Sequence, residues 1–134
     1  MIFLDSSFLI AYSNPVDEHR EKAVKIMDDL IAGKYGKPYV SDYVFDEVVT
    51  VVFVRTKDLS LAITIGNILK NSLEIINIDN ELFDKSWQIF KSQANTKFSF
   101  TDCTILAAME RDGIKYVATF DEDFDSIKDV GVIS

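Results

Sequence analysis

Hydrophobic residues form two patterns that alternate along the chain. Short apolar runs between polar residues predict buried strands. These runs are Ile2–Leu4, Lys37–Val40, Leu73–Ile78 and Tyr116–Thr119, with Val130–Ile133 as a shorter edge strand. The segments between them predict helices, most of them because apolar residues recur every three or four positions. The predicted helices are Ser6–Tyr12, Asp17–Ala32, Val44–Arg55, Leu61–Leu69, Leu82–Ala94 and Phe100–Arg111.

The segment Val44–Arg55 admits two interpretations. Its many valines favour a strand by intrinsic propensity. Val44, Glu47 and Val48 also lie along one face of a helix. Because the segment is longer than a typical strand, we predict a helix.

Strands separated by helices indicate parallel βαβ units. The expected architecture is therefore an α/β sandwich around a mainly parallel sheet of four or five strands. The chain has 134 residues, of which 48% are hydrophobic, enough for a sizeable core. Since no repeat or linker divides the sequence, we expect a single domain over residues 1–134.

Composition restricts the location and the partners of the protein. No apolar run approaches the roughly 18 residues of a membrane span, and the N-terminus lacks the basic and long apolar regions of a signal peptide. Cys103 is the only cysteine, and together these features predict a cytoplasmic protein. The net charge of −8 argues against tight, non-specific nucleic-acid binding. It also suggests a divalent cation as counter-charge.

Four acidic residues follow predicted strands or lie near the starts of predicted helices. Asp5 comes directly after the first strand, and Asp121 comes shortly after the fourth. Asp102 is in the first turn of its helix, and Glu47 is about one turn into its own. Because ligands bind beyond the carboxyl ends of parallel strands, we expect the four carboxylates to converge.

Such a cluster predicts a metal site. Like charges that meet repel one another unless a cation neutralises them, and Mg²⁺ or Mn²⁺ prefers oxygen ligands. These ions activate water and stabilise the leaving oxygen of a phosphodiester. The predicted chemistry is therefore hydrolysis at phosphorus.

Asp5 and Asp102 also have structural interpretations. Asp5 precedes Ser6 and can cap a helix. Asp102 lies three residues after Ser99, so the two resemble a capping box in which Asp replaces Glu. Capping accounts for either acid alone, and only their joint placement with the other acids favours a site.

The other two acids have acidic neighbours. Glu47 shares the valine face of its helix, whereas Asp46 lies about 100° away around the axis. A carboxylate on an apolar face needs a partner, which favours Glu47 for function. Asp121 and Asp123 lie in one acidic segment, and periodicity does not decide which is the closer ligand.

Four segments, in this order along the chain, resemble the PIN-domain family and particularly its small prokaryotic members. They are Phe3–Ser7, Ser41–Glu47, Phe98–Ala107 and Ala118–Phe124. The resemblance implies a three-layer α/β/α sandwich and Mg²⁺- or Mn²⁺-dependent cleavage of RNA. It assigns catalysis to Asp5, Glu47, Asp102 and Asp121, metal binding to Asp5, Asp102 and Asp121, and supporting roles to Ser6, Thr119 and Asp123.

Compact stand-alone members of this family are often toxins of VapC type. The resemblance therefore also implies an RNA substrate, a small antitoxin partner and a homodimer, with no membrane association. The net charge of −8 is the one departure from what RNA binding would lead us to expect.

Other side chains have simpler interpretations. His19 is expected to be structural or solvated, and Cys103 to be a small core residue, because no base is evident beside it. Trp87 and the phenylalanines at helical spacing are expected in the core, with a dimer or antitoxin surface as the alternative. Three basic residues are candidates for phosphate contacts, although each is more simply a surface charge: Arg55, Lys57 and Lys97.

Two other functions compete with a nuclease. One is a catalytically silent PIN-like module that binds RNA or a protein partner, and the complete set of four acids counts against it. The other is a phosphoryl-transfer domain with Asp5 or Asp79 as the acceptor. Asp5 lacks the second acid two residues on that such phosphatases use. No lysine follows a later strand as a receiver domain would need.

Overall fold

The computed structural model describes all 134 residues. Its strands are β1 (Ile2–Leu4), β2 (Pro38–Ser41), β3 (Glu74–Ile76), β4 (Tyr116–Ala118) and β5 (Gly131–Ile133). Its helices are α1 (Ser6–Ser13), α2 (Arg20–Ile31), α3 (Asp42–Thr56), α4 (Leu59–Ser72), α5 (Asn80–Lys91) and α6 (Phe100–Asp112). A short 3₁₀ helix, Glu122–Ser126, connects β4 to β5. The predicted order of strands and helices is confirmed.

All five strands are parallel and lie in the order β3-β2-β1-β4-β5. The first strand along the chain is thus the central one, with β2 on one side and β4 on the other. Leu4 at the end of β1 lies opposite Ala118 at the end of β4. The predicted α/β/α class is confirmed, and the residues that follow these two strands meet at one edge of the sheet.

The valine-rich segment forms helix α3, as predicted. Ser41 caps its start, accepting a hydrogen bond from the backbone N–H of Val44 at 3.1 Å. Val44, Val48 and Val52 are buried, and in a helix their spacing of four aligns them in one stripe that packs against a neighbouring element. Packing of this stripe overrides the strand propensity of valine.

The aromatic face of α5 departs from the prediction. Phe83, Trp87 and Phe90 are 46%, 48% and 38% exposed, so the expectation of core positions is wrong for these three. Helix α5 instead buries Leu82 and Ser86. The apolar periodicity located the helix correctly. Of its aromatic side, Phe83 contacts the ring of Phe100 on α6 with centroids 5.0 Å apart, yet all three rings remain largely exposed.

The core lies between the sheet and the helices that flank it. It contains β1 completely, the inward faces of α1 and α6, and the Phe124 side chain of the 3₁₀ helix. Cys103 is buried in it as a free thiol, as expected. None of the helices combines the length and the apolar character needed to cross a membrane.

Candidate active site

Asp5 lies where the central strand passes into the first helix. Its backbone N–H donates to the carbonyl oxygen of Ala118 at 3.0 Å, which continues the pairing of β1 with β4. Its side chain caps α1 by accepting from the N–H of Ser6 at 2.7 Å. The side chain is only 2% exposed, so capping and placement in a buried cluster coexist in one residue.

Hydroxyl groups surround the Asp5 carboxylate. Ser7 Oγ and Thr119 Oγ1 each donate to Oδ2 at 2.7 Å. The two hydroxyl oxygens are 3.1 Å apart, and Ser7 Oγ also accepts from the N–H of Phe120 at 3.0 Å. Residues from opposite ends of the chain therefore fix one carboxylate oxygen.

Ser6 and Thr119 connect Asp5 to two of the other acids. Ser6 Oγ lies 3.1 Å from Glu47 Oε1 and 3.3 Å from Asp5 Oδ1, and its single proton is shared between two acceptors. Thr119 Oγ1 accepts from the N–H of Asp121 at 3.0 Å. Both residues lie where the sequence predicts supporting groups.

Asp102 occupies the first turn of α6 and forms the predicted capping box. Its N–H donates to Ser99 Oγ at 3.1 Å, and its Oδ2 accepts from the N–H of Ser99 at 2.9 Å. It is coupled to the other acids through charge, because the negative charges of Asp5 and Asp121 both raise its pKa. Asp102 therefore both caps α6 and belongs to the carboxylate cluster.

Three carboxyl groups of the cluster, those of Asp5, Glu47 and Asp102, have raised pKa values. Burial raises the pKa of Asp5, against hydrogen bonds from Thr119, Ser7 and Ser6 that lower it. Burial and then the charge of Asp5 raise the pKa of Asp102 to about 6. Burial also raises the pKa of Glu47, with smaller contributions from neighbouring acids. Each acid thus resists carrying its charge while the others carry theirs.

Asp121 and Asp123 have different contacts. The charge of Asp121 raises the pKa of both Asp5 and Asp102, so it belongs electrostatically to the cluster. The N–H of Asp123 donates to Asp121 Oδ1 at 2.9 Å, and Asp123 Oδ2 accepts from the N–H of Lys97 at 3.1 Å. Asp123 therefore ties the acidic segment to the loop that precedes α6.

The donor set of the cluster suits a hard divalent cation. All the donors are carboxylate or hydroxyl oxygens, and none of the four acids forms an ion pair with Lys or Arg. No three acidic side chains are gathered closely enough to hold one ion together. This fits the habit of Mg²⁺, which takes one or two carboxylates and completes its shell with water.

A cleft of about 310 Å³ opens beside the cluster. Its lining includes Ser6, Glu47 and Asp121, together with the exposed guanidinium of Arg55. Of the three basic residues considered for phosphate contacts, Arg55 alone lines this cleft. Lys57 ends α3 in the left-handed conformation, and Lys97 meets the acidic segment through its backbone.

Two features of the site are not evident from the sequence. Ser7 contacts Asp5 as closely as Thr119 does, and its only sequence signal is a second hydroxyl after Asp5. His19 and Phe120 stack beside the cleft, although nothing in the sequence pairs them.

Asp79, the alternative phosphate acceptor, caps α5 and forms an ion pair with Arg111 at 3.4 Å.

Comparison with known proteins extends over almost the whole chain. The PIN domain model matches residues 2–130. The 23S rRNA-specific endonuclease VapC20 of Mycobacterium tuberculosis is 26% identical over 124 residues, which is 92% of each protein. Its crystal structure, described as that of a sarcin-ricin loop cleaving toxin, superposes with a TM-score of 0.83 over 94% of both chains.

Two further proteins are similar along most of the chain. A VapC ribonuclease of Archaeoglobus fulgidus is 25% identical over 116 residues, which cover 86% of this chain and 74% of the relative. A toxin-antitoxin complex from Klebsiella pneumoniae contains a chain with a TM-score of 0.68 at 18% identity, over 100% of this chain and 97% of that one. The last likeness is one of fold.

Proposed function

Because the chain belongs to the PIN domain family, we propose that it is a Mg²⁺- or Mn²⁺-dependent endoribonuclease with Asp5, Glu47, Asp102 and Asp121 as its catalytic residues. The observation that carries this proposal is a group of carboxylates that hydroxyl groups connect at one edge of the sheet and that have no Lys or Arg partner. Three of them, Asp5, Glu47 and Asp102, have raised pKa values. Two relatives that match along most of the chain are named as a ribonuclease and an rRNA endonuclease. A cytoplasmic location stays a prediction.

In this proposal Asp5 and Asp102 hold the metal directly and Asp121 holds it through a bound water molecule, because no three acidic side chains are close enough to ligate one ion together. When bound, the ion lowers the pKa of a water molecule and stabilises the leaving oxygen of the phosphodiester. Ser6, Ser7 and Thr119 keep the Asp5 carboxylate in one orientation through the contacts described above. Asp123 supports Asp121 from the side of the loop before α6.

Glu47 takes the proton of the attacking water. Burial raises the pKa of this carboxyl group, which makes its ionised form a better base near neutral pH. Ser6 Oγ contacts Oε1, so Oε2 is the oxygen available to the water. Arg55 lines the same cleft and contacts the phosphate backbone.

Cleavage of a mixed RNA pool tests the proposal. The purified protein is incubated with Mn²⁺ or Mg²⁺, with an EDTA control beside it. We expect cleavage that needs the metal and falls at least about 100-fold in Asp102→Asn. Asp112→Asn, at the other end of α6, is the matched control and retains activity. Full activity of Asp102→Asn would contradict the proposed mechanism.

Metal binding separates an inactive protein from an unsuitable substrate. Calorimetric titration with Mn²⁺ measures it without any RNA. No cleavage together with no metal binding would favour a silent RNA- or protein-binding module. No cleavage with metal bound would direct the search toward a narrower substrate.

We also infer that the protein is the toxin of a toxin–antitoxin pair. A groove of about 370 Å³ between α3 and α4 is lined by Phe45, Phe53 and Ile63, of which Phe53 and Ile63 are 44% and 54% exposed. An exposed apolar groove of this kind accepts the apolar face of a partner segment. The two VapC relatives and the Klebsiella complex support an antitoxin as that partner. The homodimer stays a prediction.

Co-expression with the small protein encoded beside the gene tests this pairing. We expect the two proteins to purify together and the complex to lose RNA cleavage. Ile63→Asp should abolish co-purification, whereas Ile31→Asp, at a residue 78% exposed on α2, should not. Equal co-purification of both variants would place the partner elsewhere than the α3–α4 groove.

A further inference from the structure

Three aromatic rings form a column that runs from the core to the surface beside the carboxylates. Phe8 is fully buried, and its ring centroid lies 6.3 Å from that of Phe120. The ring of His19 stacks on Phe120 with centroids 4.5 Å apart and planes 9° from parallel. The His19 side chain is 41% exposed, and no further ring covers it. The column therefore ends in a flat ring that solvent reaches.

The column is fixed to the carboxylate cluster. Phe120 stands between Thr119 and Asp121 in the chain, and its N–H donates to Ser7 Oγ. His19 and Phe120 line the cleft that contains Glu47 and Asp121. They also line a second cleft of about 190 Å³, together with Asp121. The stacked pair is thus common to two openings, both of which Asp121 also lines.

The His19 ring has no structural task that explains its position. His19 is the N-cap residue of α2, yet its side chain makes no capping hydrogen bond. The backbone N–H of His19, rather than its ring, is bonded to Asp17. The only polar contact of the ring is with the exposed Glu18 at 3.5 Å. Helix α2 therefore does not require an aromatic residue here.

One cation without an ion pair lines each cleft beside acidic residues. Arg55 lines the first cleft, and Lys22 lines the second, which also contains Glu122 and Asp125. Neither forms an ion pair within the protein. A strand that passes from one cleft to the other would place phosphates near both cations and one base over His19.

We propose that the His19–Phe120 pair is a stacking platform for one unpaired nucleobase of single-stranded RNA, adjacent to the phosphate at the carboxylate cluster. This rests on the proposed ribonuclease function. Proteins hold single-stranded RNA by stacking its bases on aromatic rings, and paired bases in a helix are not available for such contacts. The platform selects unpaired segments and sets the register of the strand across the acids.

Steady-state cleavage of a short single-stranded RNA by His19→Ala is the kinetic test. We expect KM to rise about 5- to 100-fold, with kcat changed by less than about threefold, because the ring binds a base and not the reacting phosphate. His19→Phe keeps the stack and should stay within about threefold of the wild-type KM. Trp87→Ala is the matched control, since Trp87 stacks on Phe90 in an exposed pair outside the cleft.

A binding test needs no cleavage and so separates this inference from the proposed function. Asp102→Asn protein is titrated with short RNAs that carry a single 2-aminopurine at each position in turn. We expect fluorescence quenching at one position, loss of that quenching in His19→Ala, and a matching rise in Kd. Replacing that nucleotide by an abasic one should weaken binding to the Asp102→Asn protein that retains His19. It should leave binding to the protein that also carries His19→Ala unchanged.

Each outcome of these two tests either supports the stacking platform or overturns it. Quenching that depends on His19 supports the platform even if the wild type cleaves no RNA. Unchanged KM and Kd in His19→Ala would overturn the platform while leaving a cleaving enzyme intact. If His19→Ala lost the same affinity for the intact RNA and for the abasic RNA, the platform would also be overturned. The substitution would then have weakened binding by destabilising the fold. Thermal unfolding of His19→Ala identifies that case.

Discussion

Two opposing influences act on the Asp5 carboxylate. Burial raises its pKa, while hydrogen bonds from Thr119, Ser7 and Ser6 lower it. A buried carboxylate with three donors is costly to ionise but well satisfied once ionised. At the scale of single residues, the hydroxyl groups therefore define the electrostatics of the site together with the acids.

Ser7→Ala should expose the contribution of one hydroxyl group. The substitution removes a donor to Asp5 and leaves the N–H of Phe120 without its acceptor. We expect the free energy of unfolding to fall by about 1–3 kcal/mol and Mn²⁺ affinity to fall with it. Urea unfolding and calorimetry measure the two quantities. Ser72→Ala, at an exposed serine with no side-chain bond, should change neither.

Asp102→Asn should stabilise the metal-free protein at high pH. The pKa of Asp102 is raised to about 6 from an ordinary 3.8. Protonation of this group therefore stabilises the folded state fully below pH 3.8, and that stabilisation is lost as the pH rises through about 6. Asparagine cannot ionise and still accepts from the N–H of Ser99. With allowance for solvent at this half-buried group, we expect a gain of about 1–2 kcal/mol at pH 8.

Urea unfolding in EDTA at pH 4.5 and pH 8 checks this prediction. The difference between wild type and Asp102→Asn should shrink toward zero at the lower pH. A difference that is the same at both values would mean that the charge of Asp102 is not its cause.

The four acids were predictable and their connections were not. Asp5 and Asp121 could be placed because parallel strands end at one edge of a sheet. The contact of Ser7 with Thr119 joins residues 112 positions apart and depends on the register of β1 against β4. Hydrophobic periodicity does not carry that register, so Ser7 was missed. The stacking of His19 on Phe120 was missed for the same reason.

At the scale of elements, the chain shows what periodicity determines. The length of the α3 segment, together with the helical face that Val44 and Val48 share, predicted a helix despite its valines. The aromatic positions of α5 identified a helix but not its orientation, because an amphipathic pattern does not name the element that will cover it. The order of strands and helices was therefore predictable from the sequence. Which apolar faces remain exposed was less predictable.

Lys57→Gly should stabilise α3. Lys57 closes this helix with φ of 55° and ψ of 26°, and its N–H donates to the carbonyl oxygen of Phe53 at 2.8 Å. The left-handed conformation strains any residue with a Cβ, and glycine adopts it freely. We expect a gain of about 0.5–1 kcal/mol in the free energy of unfolding. Lys57→Ala is the control and should show no such gain.

For the whole molecule, the net charge of −8 shapes the encounter with RNA. Long-range repulsion between two polyanions weakens as salt screens it, whereas contacts with Arg55 and Lys22 weaken as salt rises. We expect log kcat/KM to fall with log salt with a slope no steeper than about −1.4, the value for two phosphate contacts on a single strand.

Rates measured between about 20 and 200 mM KCl at fixed Mg²⁺ check this expectation. Arg55→Gln should make the slope shallower by about 0.7. A wild-type slope steeper than about −3 would require a basic surface that the structure does not contain.

The position of β1 at the centre of the sheet has a consequence for synthesis. Strand β1 finds its neighbour β4 only after the segment up to Ala118 has been translated, since domains assemble as the chain emerges. Until then Asp5 lacks its hydrogen bond from Thr119, and Asp121 is absent. The carboxylate cluster therefore forms only after the segment that contains β4 and Asp121 has been synthesised.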